Sequence, residues 1–264
     1  MFVQIDTAQT IDFALRETML RLRKRVFCEQ LGWDIPHCNG QEADIFDFNK
    51  CLYLNWLSGL GGDLFGSVRL IPLSEDNLLT TVFKSSVDEG HQAALSRSTR
   101  VWEATRLCLD ETMFNAQDRP LALIKLLFSL FLACRTIGIE RLLCNCDAIV
   151  FRRYRSLGLT IDWLGATPDF RHGAVCCLSV AISDQNVGVL DALAREAGAA
   201  PVVFNGLGIA AAVALIREHD LAPVWNTDHR GTKPTARTKR RVSRATKQLP
   251  LSVSHSMKTG SRLT

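Results

Sequence analysis

The residues best suited to chemistry lie in the first 110 positions, in three short segments. Arg23, Phe27 and Trp33 fall within Leu22-Arg23-Lys24-Arg25-Val26-Phe27 and Leu31-Gly32-Trp33. Asp44 and Asp47 belong to Glu42-Ala43-Asp44-Ile45-Phe46-Asp47. Arg69 stands in Ser67-Val68-Arg69-Leu70, and Glu103 and Arg106 in Val101-Trp102-Glu103-Ala104-Thr105-Arg106. A carboxylate beside a guanidinium is held ionised, and bidentate hydrogen bonds fix its orientation. Arg69, among Val68, Leu70 and Ile71, is costly on an apolar strand unless Asp44, Asp47 or Glu103 pairs with it. Glu103 has the chemistry of a general base, and Arg106 that of a clamp on an oxyanion or a carboxylate. The faces of Phe27 and Trp33 suit a cationic ligand.

Regular elements must position these groups. Residues 11–31 read as a helix, because Leu15, Met19, Leu20, Leu22, Val26 and Phe27 recur at spacings of three and four; Gly32 marks its stop. Residues 33–48 are polar and read as loop. Residues 52–58 and 64–73 form a hairpin around Gly59-Leu60-Gly61-Gly62-Asp63, its second strand closed by Pro72. Residues 75–98 are a polar excursion with a short helical piece, and 101–109 a strand. The stretch 121–138 is the clearest helix, apolar on most faces and therefore central. Residues 141–148 read as a strand buried on both faces, and 149–157 as a short basic helix closed by Gly158. Residues 159–165 and 174–182 are the last strands. This order predicts a single α/β sandwich around a mixed, mostly antiparallel sheet. Beyond it, Ser183 and Asp184 cap a helix through Ala197, and 206–218 form another. On strand 101–109, period-2 alternation sets Glu103 and Thr105 on one face and Arg106 on the other. A shared cleft therefore requires a bulge near residues 104–106.

Composition narrows the class. The chain has 264 residues, 47% hydrophobic and 22% charged, as in globular proteins, with room for one large domain or two small ones. The longest apolar stretch, around 121–134, is interrupted by Lys125 and Ser129, so no membrane insertion is expected. Met1-Phe2-Val3-Gln4-Ile5-Asp6 lacks a basic region followed by an apolar one, which predicts a cytoplasmic protein. The nine cysteines are odd in number and mostly in apolar context; they are expected to be buried free thiols rather than disulfides or metal ligands. Residues 223–264 hold ten Lys or Arg against one acid, Asp228. That tail carries +9 of a total of +4, which leaves the body at −5. The tail lacks apolar periodicity and reads as disordered. It includes Lys239-Arg240-Arg241 without any nucleic-acid recognition motif, so no specific nucleic acid is expected.

The three segments, in this order and spacing, resemble the acyl-homoserine lactone synthases of the LuxI type, over roughly residues 10–182. The resemblance implies the fold of the GNAT acyltransferases for residues 1–182, followed by a helical extension (183–222) and the basic tail (223–264). It implies a reaction between S-adenosylmethionine (SAM) and an acyl group carried on acyl carrier protein. The SAM amine attacks the thioester; the SAM carboxylate then closes on its own γ-carbon and expels methylthioadenosine. No cofactor, metal or covalent enzyme intermediate is needed, consistent with a sequence that has no Gly-x-Ser-x-Gly elbow. By the same resemblance Glu103 and Arg106 are catalytic. Arg23, Phe27, Trp33, Asp44, Asp47 and Arg69 form the SAM site. Trp102, Thr105, Leu127, Leu130, Cys144 and Cys146 line the acyl pocket. Cys144 stands where members using 3-oxo chains often carry Thr, which argues against a 3-oxo preference. Carrier protein is acidic, and Lys125, Arg135, Arg152, Arg153 and Arg155 are the basic residues expected to meet it. The alternative is a CoA-dependent GNAT N-acyltransferase acting on a small amine. Those enzymes follow the strand with a Gly-rich loop that cradles pyrophosphate at a helix start; here the chain reads Asp110-Glu111-Thr112-Met113-Phe114. A binding protein with a degenerate site would have lost one of the charged residues, and all are present.

Overall fold

The computed structural model describes residues 1–48, 50–73, 76–95, 100–170, 173–199 and 201–221. The tail at 223–264 lies outside the described residues. The first strand, β1 (Phe2–Thr7), was not foreseen. Val3 and Ile5 are fully buried and alternate with Gln4 and Asp6, a strand signal too short to separate from a loop. Helix α1 (Phe13–Arg23) starts at Asp12, whose carboxylate accepts the Ala14 and Leu15 N–H groups. It continues as a wider π-helical turn, Lys24–Gln30, that buries Val26 and Phe27; such turns recur at functional sites. The segment read as loop holds a small hairpin, β2 (His37–Cys38) and β3 (Gln41–Glu42), and a 3-10 turn, Ile45–Phe48.

A meander follows: β4 (Leu52–Leu57), β5 (Leu64–Pro72) and, after α2 (Leu78–Thr81), a 3-10 turn at Lys84–Ser86 and α3 (Glu89–Leu95), β6 (Val101–Leu109). Helix α4 (Arg119–Ile137) carries Pro120 in its first turn and ends at Gly138, whose φ of 94° only glycine adopts without strain. Then come β7 (Arg141–Asp147), α5 (Ala148–Ser156), β8 (Ile161–Phe170), β9 (Gly173–Ala181) and α6 (Asp184–Glu196), capped by Ser183. The last elements are β10 (Val203–Phe204) and α7 (Gly206–Leu221). Val203 and Phe204 pair with Phe2 and Val3, so the segment after residue 183, read as helical, also supplies an edge of the sheet.

The sheet runs β10-β1-β4-β5-β6-β7-β9-β8. Only the β1–β10 and β6–β7 pairs are parallel. One face, here the apolar face, carries Leu52, Leu54, Trp56, Val68, Leu70 and Trp102 against α4, α6 and α7. By length and composition α4 is apolar enough to cross a bilayer, yet it sits in this core. Its one buried hydroxyl has a use: Ser129 accepts the indole N–H of Trp56. The opposite face carries Tyr53 and Ile71 and packs on α1, the π-helical turn and Phe46. These two layers around a mixed sheet are the GNAT-like α/β/α sandwich.

One irregularity matters for the site. Strands β6 and β7 pair only over Val101–Glu103 with Arg141–Leu143, although they run on to Leu109 and Asp147. The ladder stops there, and beyond it the two strands run on unpaired with each other; this parting is the gap between β6 and β7.

Candidate active site

The foreseen bulge is present. Arg69 pairs with Thr105 and Ser67 with Cys108, so two steps on β5 face three on β6. Arg106 takes the extra position at φ 56°, a left-handed conformation that costs a non-glycine residue about 1 kcal/mol or more. The twist brings its guanidinium to the face of Arg69 and Thr105. There Nε and Nη2 donate to Glu42 at 3.0–3.2 Å, and Nη2 to Asp44 at 3.1 Å. These charge-assisted bonds offset the strain.

Three arginines and three acids interlock on this face. Arg23 donates through Nε to Glu42 at 2.6 Å and through both terminal nitrogens to Asp47 at 2.7 and 3.0 Å. Arg69 clamps Asp44 at 2.6 and 2.9 Å, reaches Asp47 at 2.9 Å and donates Nε to Thr105 at 3.1 Å. The Tyr53 hydroxyl donates to Asp47 at 2.9 Å. The Asp44 N–H closes the loop onto Asp47 at 2.8 Å. Burial alone would discharge Asp47, but Arg23 and Arg69 hold its carboxyl well below the usual range. Burial likewise opposes the charge on Arg23, and Asp47 and Glu42 outweigh it. Four of the six side chains are at most 1% exposed; Asp44 and Arg106, at 15% and 11%, form the open rim.

Glu103 stands apart from this network. It is fully buried, accepts the Leu78 N–H at 2.9 Å through Oε2, and leaves Oε1 without a hydrogen bond. Burial pushes its carboxyl up to about 7, more than the Leu78 amide and the charges of Arg69 and Arg106 pull it down. A carboxylate balanced near neutrality can accept a proton from an amine. It lies where β6 and β7 begin to part. Nearby, Phe27 and Trp33 stack with ring centroids 4.9 Å apart, and Arg106 lies 5.7 Å over Phe27.

All eight residues of the expected catalytic and SAM-binding set are thus gathered on one side of the sheet. The acyl-pocket set divides. Trp102, Leu127 and Leu130 share the core of the apolar face, and Cys144 and Cys146 point to that face from β7. Thr105 does not join them: strand alternation turns it to the charged face, where it serves Arg69. The expected basic patch also divides. Lys125 and Arg135 are ten residues apart on α4, about 15 Å along its axis, and Arg135 pairs with Asp184 at 2.8 Å. Arg152, Arg153 and Arg155 on α5 remain together and exposed. Glu42 and Tyr53 were given no role from the sequence, yet Glu42 bridges Arg23 to Arg106. The signal was composition: Glu42 stands with Asp44 and Asp47 in one acidic loop, against four arginines (Arg23, Arg25, Arg69 and Arg106) in the neighbouring segments.

The fold is GNAT-like. Residues 8–188 match the autoinducer synthase family, and the chain belongs to that family, as an acyltransferase of the acyl-homoserine-lactone synthase kind. The acyl-homoserine-lactone synthase of Aeromonas salmonicida is 31% identical over 159 residues, covering 60% of this chain and 74% of that protein. That of Pseudomonas aeruginosa is 26% identical over 163 residues, 61% and 76% of the two chains. Among solved structures, BjaI, described as a CoA-dependent acyl-homoserine lactone synthase and bound to MTA, superposes with a TM-score of 0.63 at 22% identity, covering 80% of this chain and 97% of its own. LasI gives 0.62 at 20% identity, covering 71% and 93%.

Proposed function

We propose that the protein transfers an acyl group from acyl carrier protein to the amine of SAM, closes the lactone and releases methylthioadenosine. The observation that carries this reading is Glu103, a buried carboxyl poised near neutrality with one oxygen unengaged beside the strand gap. A protonated amine cannot attack a thioester, and Glu103 supplies the acceptor. The rim residues fit a zwitterionic sulfonium ligand: Arg106 offers charge to a carboxylate, and Asp44 offers it to a cation. Arg23, Asp47, Glu42 and Arg69 hold that rim in place from beneath. The exposed edge of Trp33 stacked on Phe27 suits the sulfonium or the adenine. The acyl chain crosses the gap to the apolar face, between Trp102, Leu127, Leu130 and the two β7 cysteines. The proposed chemistry requires no cofactor, and a cytoplasmic location is part of the proposal.

The donor is the finer question, because BjaI and MesI are both described as CoA-dependent. Two features favour carrier protein here. In the turn after β6, Asp110 and Glu111 are paired with Arg25 and Arg119, and Asp118 stands at the start of α4, where its charge disfavours a pyrophosphate. The exposed arginines of α5, beside the exposed Ile149, offer an acidic partner both charge and apolar surface. Purified protein given SAM and either acyl-carrier protein or acyl-CoA, with products read by mass spectrometry, tests both levels. Lactone from the carrier-protein arm alone is expected. Lactone from acyl-CoA alone would replace the donor, and N-acylation of SAM-free amines would replace the reaction.

A further inference from the structure

We infer that Asn145 is a catalytic hydrogen-bond donor to the carbonyl oxygen of the acyl thioester, an inference that rests on the acyl transfer proposed above. In that step the SAM nitrogen forms a bond to the thioester carbon while the C=O π electrons move onto oxygen. The amine proton passes to Glu103. When the oxyanion collapses, the C–S bond breaks and the thiolate leaves with that proton. The negative oxygen needs a donor while it exists, and a preorganised one contributes most.

Arg106 was the expected donor, but its Nε and Nη2 are occupied by Glu42 and Asp44. Asn145 is placed to take that part. Leu143 pairs in register with Glu103, and Asn145 lies two residues further along β7. It therefore shares the face of Glu103, about 6.6 Å beyond the last strand pair, on the margin of the gap. Thr105 stands across the gap on β6, on the same face. The carboxamide is anchored at one end: the Ser86 hydroxyl donates to Oδ1 at 3.0 Å. The same hydroxyl lies 2.7 Å from the Phe83 carbonyl, so its single proton is shared between that oxygen and Asn145. Nδ2 is shielded from solvent and without a partner. An unmet buried donor is costly, and an oxygen arriving there removes that cost. Among the described residues the other buried unpartnered carboxamide, Asn55, lies on β4, two strands from the gap. A thioester carbonyl lying in the gap sets its carbon against the amine held by Glu103 and its oxygen toward Nδ2.

Steady-state kinetics of Asn145→Leu test this, with SAM and two carrier-bound acyl donors, one unsubstituted and one bearing an oxygen at C3. We expect kcat to fall about 100-fold with both donors, KM for SAM to stay within twofold, and the pH limb of Glu103 to remain in place. A shifted limb would show that the substitution acts through Glu103, and it would overturn the assignment. So would a kcat within twofold of wild type, or a loss confined to the C3-oxygenated donor, which would put the amide on the acyl chain instead. Ser86→Ala covers the case in which Asn145→Leu does not fold: with the anchor removed, kcat should fall about tenfold, and an unchanged kcat would overturn the inference. If the wild-type protein itself makes no lactone from either donor, the underlying reaction fails, an outcome distinct from an insensitive Asn145 variant.

Discussion

The two faces of the sheet are held by opposite means. On one, Trp102, Leu126, Leu130 and their neighbours fill a dry core, and each contributes in proportion to the surface it buries. On the other, three arginines and three carboxylates satisfy each other almost entirely out of solvent. Such a network adds little net stability over an apolar core, yet removal of one member strands its partners. The apolar face is graded and the charged face is close to all-or-none. The parting of β6 and β7 lies between them, and on the function proposed above the thioester would meet both environments there.

The sharpest test of the charged side is Glu103→Gln, which keeps the shape and removes the base. Its kcat should fall at least 100-fold with the melting temperature nearly unchanged. In the wild-type protein, kcat should rise with pH through about 7, as Glu103 gives up its proton, and then level; the variant should lose that limb. Near-normal turnover would remove Glu103 as the base. Arg23→Met comes next. It leaves Glu42 and Asp47 buried without their main partner and should cost about 3–5 kcal/mol, a fall of roughly 10 °C in melting temperature. A variant as stable as wild type would break the contrast between the faces. Leu130→Ala on the apolar face should cost about 2–4 kcal/mol by cavity formation, while lactone formation at low temperature survives and tolerance of longer acyl chains rises. Thr105→Val removes only the acceptor for Arg69 Nε and should cost about 1 kcal/mol in denaturant unfolding. No change in acyl-chain preference is expected, since Thr105 faces away from the apolar side. Truncation after residue 222 should alter kcat less than twofold; loss of folded protein would show that the tail packs on the body.

The apolar face was the more legible of the two in the sequence. Periodicity alone located α4 and β6 to within about two residues, since long elements with a strong pattern outweigh local accidents. The strands β1 and β10 escaped, because two to six residues carry too little pattern and β10, at the edge, gains its identity only from its partner. The charged face was legible as a set and not as a wiring diagram. Strand alternation opposed Glu103 to Arg106, and it was that conflict that exposed the bulge. Which acid meets which arginine depends on the hairpin at residues 37–42 and on the 3-10 turn, both too short to read, and Glu42 was passed over for that reason. Thr105, grouped with the acyl pocket through the resemblance, faces the charged side, because three residues along the strand from Trp102 reverse the face.

The brief ladder between β6 and β7 has a mechanical consequence. Three residue pairs join five strands on one side to three on the other. The sheet can hinge there at the expense of few backbone hydrogen bonds, while α4, packed across the core, acts as the leaf spring. On the function proposed above, a longer acyl chain would be admitted by a small rotation of one half against the other, with no core residue replaced. Amide exchange should be fastest in the sheet along this line, and bulkier donors should speed it further.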